Sequence, residues 1–307
     1  MLNLSCITIF NKVKIPHTTK IDLADIDLHI PESELFSFYI EEFKEQTYLS
    51  KFIEKLDIYL PDFVFSKKNL EIKTNQYNGG KTTVSPLEQA RSLLQKTKLE
   101  YLHNSTGEFG EFLMYLFAKE VMGAQKIVSK IQSRGNPMNT IPGRDGIFML
   151  IDENENVYML TGEAKMKPDG NDGLREAQGD LNEFWLSNDI KHELLLASTH
   201  LIDEVTDENY QKYEQYFLQG NQMNDNLKYK NIIFVGYSCD NFTKVKNGEI
   251  GIEDFILSTE NNLSRCFKNQ KELIISGNKS AIYCFVPFET VNDAREQFAR
   301  HNGLLLN

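Results

Sequence analysis

Gly143-Arg144-Asp145-Gly146-Ile147-Phe148-Met149-Leu150-Ile151, then Asp152-Glu153-Asn154-Glu155-Asn156, then Val157-Tyr158-Met159-Leu160-Thr161-Gly162-Glu163-Ala164-Lys165 is the stretch on which the fold turns. Two apolar runs, 146–151 and 157–161, flank a link of turn-forming residues, which predicts a β-hairpin. Centring the turn on Asn154 sets Ile151 opposite Val157, Met149 opposite Met159 and Asp145 opposite Glu163. Directly opposed residues on antiparallel strands hold their β-carbons about 4.5–5.5 Å apart. Two carboxylates at that separation repel each other, a poor structural choice unless a divalent cation sits between them. Side chains alternate along a strand, so Lys165 shares the face of Glu163. Hard oxygen ligands of this kind suit Mg²⁺, which takes few carboxylates and keeps several waters. A lysine beside such an ion can orient or deprotonate a water, or offset charge on a phosphorane.

The segment before the hairpin supplies further carboxylates. Phe109, Phe112, Leu113, Leu116, Phe117 and Val121 recur at helical spacing from about residue 105,. Glu108 and Glu111 are three apart and share one face of that helix. Ser105-Thr106-Gly107-Glu108 fits a capping box, which gives Glu108 a structural role. Glu111 lies one turn further in among Phe109, Phe112 and Met114, and is the preferred third carboxylate, with Glu108 as the alternative.

A helix glutamate, then Gly143-Arg144-Asp145-Gly146 opening a strand, then Gly162-Glu163-Ala164-Lys165 on the next, resembles the PD-(D/E)xK nuclease pattern, with Arg144-Asp145 in place of the usual proline-aspartate. Gly107-Glu108-Phe109-Gly110-Glu111 together with the other two motifs is more closely similar to the nuclease subunit of the Hachiman anti-phage defence system, over roughly residues 90–300. The resemblance implies a restriction-endonuclease-like α/β core, a mixed central sheet flanked by helices, with an N-terminal extension. It implies a DNase acting with Mg²⁺ (or Mn²⁺) through Glu111, Asp145, Glu163 and Lys165, with Asp145, Glu163 and Glu111 as the metal ligands. It also implies a superfamily 2 DNA helicase as partner, which holds the nuclease inactive until it engages DNA. Gln178 occupies the place where the RecB-type nucleases carry a glutamine; the alternative is a solvated helix position. Lys167 and Arg144 are candidate phosphate contacts, Lys167 otherwise a surface lysine and Arg144 otherwise the partner of a carboxylate. Two other readings stand beside this one: a non-catalytic partner-binding protein on a nuclease-like fold, and a self-contained restriction-type endonuclease.

Two other motifs fail on their own chemistry. Asn78-Gly79-Gly80-Lys81-Thr82 ends like a phosphate-binding loop, but Asn75 stands where that pattern requires glycine. Asp152, Asn154, Asn156 and Glu163 have calcium-loop spacing, but Val157 occupies the position that needs glycine for the sharp turn.

Outward from the hairpin, strands are expected at residues 127–131, 231–237 and 281–286. Helices are expected at about 86–103, 174–186, 253–275 and 289–301, and the alternation predicts an α/β protein. Residues 1–90 read as a separate or loosely integrated N-terminal region suited to partner docking, with a strand at 7–15 and helical spacing of Leu35, Phe36, Tyr39, Ile40 and Phe43; residues 91–307 read as the nuclease domain. In 307 residues, 41% are hydrophobic and the net charge is −11, an ordinary globular balance that opposes DNA binding through the overall field,. Ten acidic and four basic residues fall between Lys20 and Asp57, whereas Val64 to Gly135 holds eleven basic and six acidic ones. That second stretch is either a basic face or ordinary solvated surface. Four scattered cysteines, Cys6, Cys239, Cys266 and Cys284, read as small buried hydrophobes. No apolar run approaches membrane-span length and no secretory signal is evident, so a cytoplasmic protein without membrane contact is expected.

Overall fold

The computed structural model describes residues 34–37, 47–101, 107–129, 144–187, 190–205, 207–217, 227–269 and 280–305. The expected strand at 7–15, as well as Tyr39, Ile40, Phe43, Ser105, Gly143 and Cys6, lies outside them.

The hairpin has the register the turn dictates. Strands β3 (Gly146–Ile151) and β4 (Val157–Lys167) are antiparallel, with Gly146 opposite Gly162 and Ile151 opposite Val157. Asp152 closes the turn: its Oδ1 accepts the N–H groups of Asn154 (2.9 Å) and Asn156 (2.8 Å), and its Oδ2 accepts the Asn156 amide (2.8 Å). Those bonds hold its carboxyl below the usual carboxylate range,. An aspartate committed to its own turn in this way is not a calcium-loop ligand.

β4 continues beyond its apolar run through the Glu163–Lys165 motif to Lys167. The run stops at Thr161, but β5 (Lys228–Ser238) lies parallel along the strand from Tyr158↔Lys228 to Lys167↔Tyr237 and satisfies its backbone throughout,. On the far side of β5, β6 (Ala281–Phe288) adds in parallel, and β1 (Glu34–Ser37) pairs parallel with β6. β2 (Gln125–Ser129) closes the other edge against β3. Among the described residues one mixed six-stranded sheet results, in the order β1-β6-β5-β4-β3-β2.

Helices cover both faces. α1 (Tyr48–Leu56), α2 (Leu60–Val64), α3 (Lys67–Asn78) and α4 (Pro86–Tyr101) precede α5 (Glu108–Leu116). α6 (Gly170–Leu186), α7 (Ile190–Glu204) and α8 (Asp207–Phe217) form the crossover from β4 to β5. α9 (Asn241–Lys246) and α10 (Ile252–Asn269) link β5 to β6, and α11 (Val291–His301) follows β6. The even-numbered face of β4 meets α5: a β-carbon placed on Gly110 would lie 3.6 Å from Ala164 Cβ, and one on Gly162 only 2.7 Å from the Met114 thioether. The odd-numbered face meets α6, where a β-carbon on Gly173 would lie 2.8 Å from Val235 and 3.7 Å from the β-carbons of Lys165 and Lys167.

One expectation is corrected. Leu35 and Phe36 belong to a strand, because the open edge of β6 offers a ladder that outweighs a helix-like spacing spread over only a few residues,. Described residues on both sides of position 90 share one hydrophobic core. Leu49, Phe52, Ile53, Leu56, Leu60 and Phe63 are buried in the same core as Phe109, Phe112 and the β5–β6 strands. Within the basic stretch, among the described residues, Arg91 pairs with Asp57 (2.8 Å), Lys68 with Asp203 (3.2 Å) and Lys119 with Asp62, and Lys126 is buried. Helix α5 starts at Glu108 with Gly107 as N-cap, so Glu108 occupies its first turn. A capping box does form one helix earlier, where the Ser85 hydroxyl accepts from Glu88 N–H (3.2 Å) and the Glu88 carboxylate accepts from Ser85 N–H (2.8 Å),. Cys239, Cys266 and Cys284 are buried thiols, as expected. Among the described residues no helix is long and apolar enough to cross a membrane.

Candidate active site

Asp145 sits in the bend that enters β3. Its N–H donates to Gly162 O (3.1 Å), and its Oδ2 accepts the Ala164 N–H (2.9 Å). These two bonds continue the hairpin register one step past the last paired residues and set Asp145 beside Glu163. Both carboxylates are buried, each 6% exposed. Burial, with the neighbouring Asp145 charge adding to it, pushes the Glu163 carboxyl up to about 8, although Lys165 and Arg144 pull the other way,.

Both cations are close. Arg144 Nη1 lies 3.2 Å from Glu163 Oε2, and its guanidinium stacks 4.8 Å from the centre of the Phe184 ring on α6,. Lys165 Nζ lies 2.9 Å from Glu163 Oε1. It also reaches two carboxylates that the sequence reading did not single out: Asp180 Oδ2 at 2.6 Å and Glu176 Oε1 at 3.5 Å, one turn apart on α6. Burial works against the Lys165 ammonium, but Glu163 and Asp180 outweigh it and hold its proton more tightly than in a free lysine. Lys167, one step further along the same face and half-exposed, pairs with Glu176 Oε2 at 2.7 Å. The signal for Glu176 and Asp180 was available: two acids at i and i+4, on the helix that follows a strand carrying lysines at i and i+2.

The remaining candidates separate. Gln178 is not solvated. It is 6% exposed and donates from Nε2 to the Tyr283 hydroxyl on β6 (3.4 Å), tying α6 to the sheet. Glu108 faces Arg295 on α11, whose positive charge it helps to maintain against burial. Glu111 is buried in α5, and its Oε1 turns back over the first turn, where a β-carbon on Gly107 would lie 3.8 Å away. A carboxylate at that place is favoured by the helix dipole. Among the described residues, no three His, Cys, Asp or Glu side chains stand close enough together to hold a metal ion. The expected trio of Glu111, Asp145 and Glu163 is therefore not assembled. The backbone of α5 packs against the even face of β4 at Gly110, whereas Lys165, on the odd face with Glu163, reaches α6.

Two carboxylates are still a sufficient protein contribution for Mg²⁺, which fills its remaining positions with water and phosphate oxygen. Burial first, and then the charge of Asp145, raises the Glu163 carboxyl, and a cation bound between the two would relieve both,.

A mixed, helix-flanked α/β sheet carrying a buried Asp–Glu pair with a partly buried lysine beside it on one hairpin is thus the class that fold and site define. A family model described as HamA matches residues 15–301, nearly the whole chain. The chain belongs to the HamA family, the nuclease-like subunit of the Hachiman defence system. No curated protein matches it.

Proposed function

We propose that this chain is a metal-dependent DNA nuclease built on a PD-(D/E)xK restriction-endonuclease-like core, and that a partner DNA helicase of the same defence system controls it. The observation that carries the reading is the buried Asp145–Glu163 pair, with Lys165 2.9 Å from Glu163 on the same strand face.

Asp145 and Glu163 would hold Mg²⁺ (or Mn²⁺), with Glu111 left outside the set. The cation would supply Lewis acidity and positive charge at the scissile phosphodiester. The chain's own residues do the rest. Ala164 N–H fixes the Asp145 carboxylate, and Arg144 fixes that of Glu163. Lys165 keeps its proton, so its role is that of a donor: it directs N–H bonds at the attacking water or a phosphate oxygen and offsets charge developing on the phosphorane,. Lys167, half-exposed on the same face, suits a contact to the phosphate backbone further along the strand,. A chain of net charge −11 gains little DNA affinity from its overall field, which fits a nuclease to which a partner delivers DNA,.

Cleavage of linear and supercoiled DNA by the purified chain, alone and with its co-expressed helicase, tests the proposal. Activity is expected with Mg²⁺ or Mn²⁺ and is lost with EDTA. The double variant Glu163→Ala, Lys165→Ala should lose at least about 100-fold in rate while keeping its circular dichroism spectrum. Undiminished cleavage by that folded variant would sink the assignment. An inactive wild-type complex would leave a non-catalytic, partner-binding protein.

A further inference from the structure

Lys165 is held from two sides, and only one of those sides belongs to the carboxylate pair. Glu163 takes the ammonium from within β4 at 2.9 Å; Asp180 takes it from α6 at 2.6 Å, and Glu176 stands at 3.5 Å. The α6 contacts depend on close packing, because a side chain at Gly173 would meet Val235 at 2.8 Å and push the helix from β4. An exposed ion pair usually contributes little, but here the lysine side chain is 16% exposed and three carboxylates converge on it,. A lysine side chain is a flexible stem bearing a point charge, so its direction is set by what its ammonium meets. Glu163 cannot give that direction alone. Its oxygens already serve Arg144 and Lys165, and under the proposed function they would also serve a cation.

We infer that Asp180, supported by Glu176, is a positioning residue: it aims the Lys165 ammonium across the face of β4 when Glu163 is engaged elsewhere. The inference rests on the nuclease reading for its consequence in catalysis, but not for its geometry. Glu176 bridges Lys165 and Lys167 and so couples the aim of the first to the second. Asp172, on the same helix, pairs only with exposed Arg175 (2.6 Å) in the described contacts and serves as a control position.

Two measurements on the full-length chain test it. The first is DNA cleavage with Mn²⁺ by Asp180→Asn, Asp180→Glu and Asp172→Asn. The second is detection of the Lys165 ammonium by isotope-edited NMR in the metal-free protein. Asp180→Asn should lower kcat roughly 10-fold or more with KM little changed, as expected when a reacting-centre group is misaimed. Asp180→Glu should recover most of that loss and Asp172→Asn should have no effect. The Lys165 ammonium signal of the wild type should vanish or broaden in Asp180→Asn while the melting curve stays in place. An unchanged kcat in Asp180→Asn, or a loss confined to KM, overturns the inference. If the wild type does not cleave DNA at all, it is the nuclease reading that fails. The NMR result then decides the positioning claim by itself: a signal retained in Asp180→Asn overturns it, and its loss upholds it.

Discussion

Two lysines project from neighbouring parts of the same sheet into carboxylate-lined surroundings, and they have opposite characters. Lys126 on β2 is 6% exposed. Its ammonium donates to the backbone carbonyls of Asp62, Phe63 (3.4 Å) and Phe65 (2.8 Å) around the end of α2, with Glu204 at 3.7 Å. Those carbonyls are the acceptors a helix end leaves unsatisfied, so Lys126 acts as a buried C-terminal cap. Lys165 on β4, by contrast, meets only side-chain carboxylates: buried Glu163, and Asp180 and Glu176, which are 40% and 45% exposed. Backbone acceptors within a packed core cannot rotate toward water or toward another ligand, whereas carboxylates on an accessible helix can. Burial lowers the proton affinity of Lys126 despite Glu204 and Asp62, whereas the carboxylates around Lys165 outweigh its lesser burial. One arrangement holds elements in place, and the other keeps a charge available for exchange.

The strongest way to break this comparison is to remove each ammonium while keeping its stem. Lys126→Met should destabilise the chain by about 3–5 kcal/mol, because three carbonyls and the Glu204 carboxylate lose a partner they cannot replace with water,. Urea titration followed by circular dichroism measures this. Lys165→Met should melt within a few degrees of the wild type while losing cleavage, since Asp180 and Glu176 can rehydrate. Equal stability losses in the two variants would erase the distinction.

Lys126 also marks where reading the sequence stops. Its partners lie 61 to 78 positions away along the chain (Phe65 to Glu204), and a lysine beside Ile127 and Val128 reads as one more member of a basic stretch. Long-range burial leaves no local trace. The hairpin was legible because its determinants are local: a five-residue turn, period-two alternation, and a register that follows from both. The pairing of Asp145 with Glu163 and Lys165 came with it. What the register could not reveal is the other layer. Which face α5 covers is decided by Gly110 and Gly162 against Met166 and Met114, contacts between elements far apart in sequence. Whether a buried helix glutamate such as Glu111 comes close enough to Asp145 and Glu163 to share a cation is set by that packing, and among the described residues no three such side chains are grouped. Helices α7 and α8 went unread because 190–217 lacks the strong apolar stripe that marks α1 or α10.

A second, smaller test uses pH. The folded chain binds the Glu163 proton up to about pH 8, whereas an ordinary glutamate releases it near 4.5. The folded state therefore holds more protons than the unfolded one between those values, so stability falls as pH rises through that window and the cost is complete above it. The metal-free wild type should lose several degrees in melting temperature relative to Glu163→Gln as pH is raised from about 5 to about 8.5. The rise in melting temperature produced by Mn²⁺ should grow over the same range, since carboxylate ligands bind in the ionised form. A Glu163→Gln curve parallel to the wild type would show that Arg144 and Lys165 neutralise the pair after all.

The smallest effects fall at the carboxylate ends of the two networks. Glu204 is 3% exposed, lies 3.7 Å from Lys126, and accepts the Lys67 N–H at the start of α3 (3.2 Å). Gln in its place keeps the shape and the backbone bond but removes the charge that offsets the buried ammonium, at a cost of about 2 kcal/mol. Glu176 also accepts from two donors, Lys165 and Lys167, but from a site open to water. Glu176→Gln should change stability by less than about 1 kcal/mol, and that small effect should fade as salt screens the pair. Measured side by side in low and high salt, only the Glu204→Gln loss should persist. A salt-insensitive loss at Glu176 of similar size would mean that the α6 carboxylates are part of the packed core, and that Lys165 is fixed as firmly as Lys126.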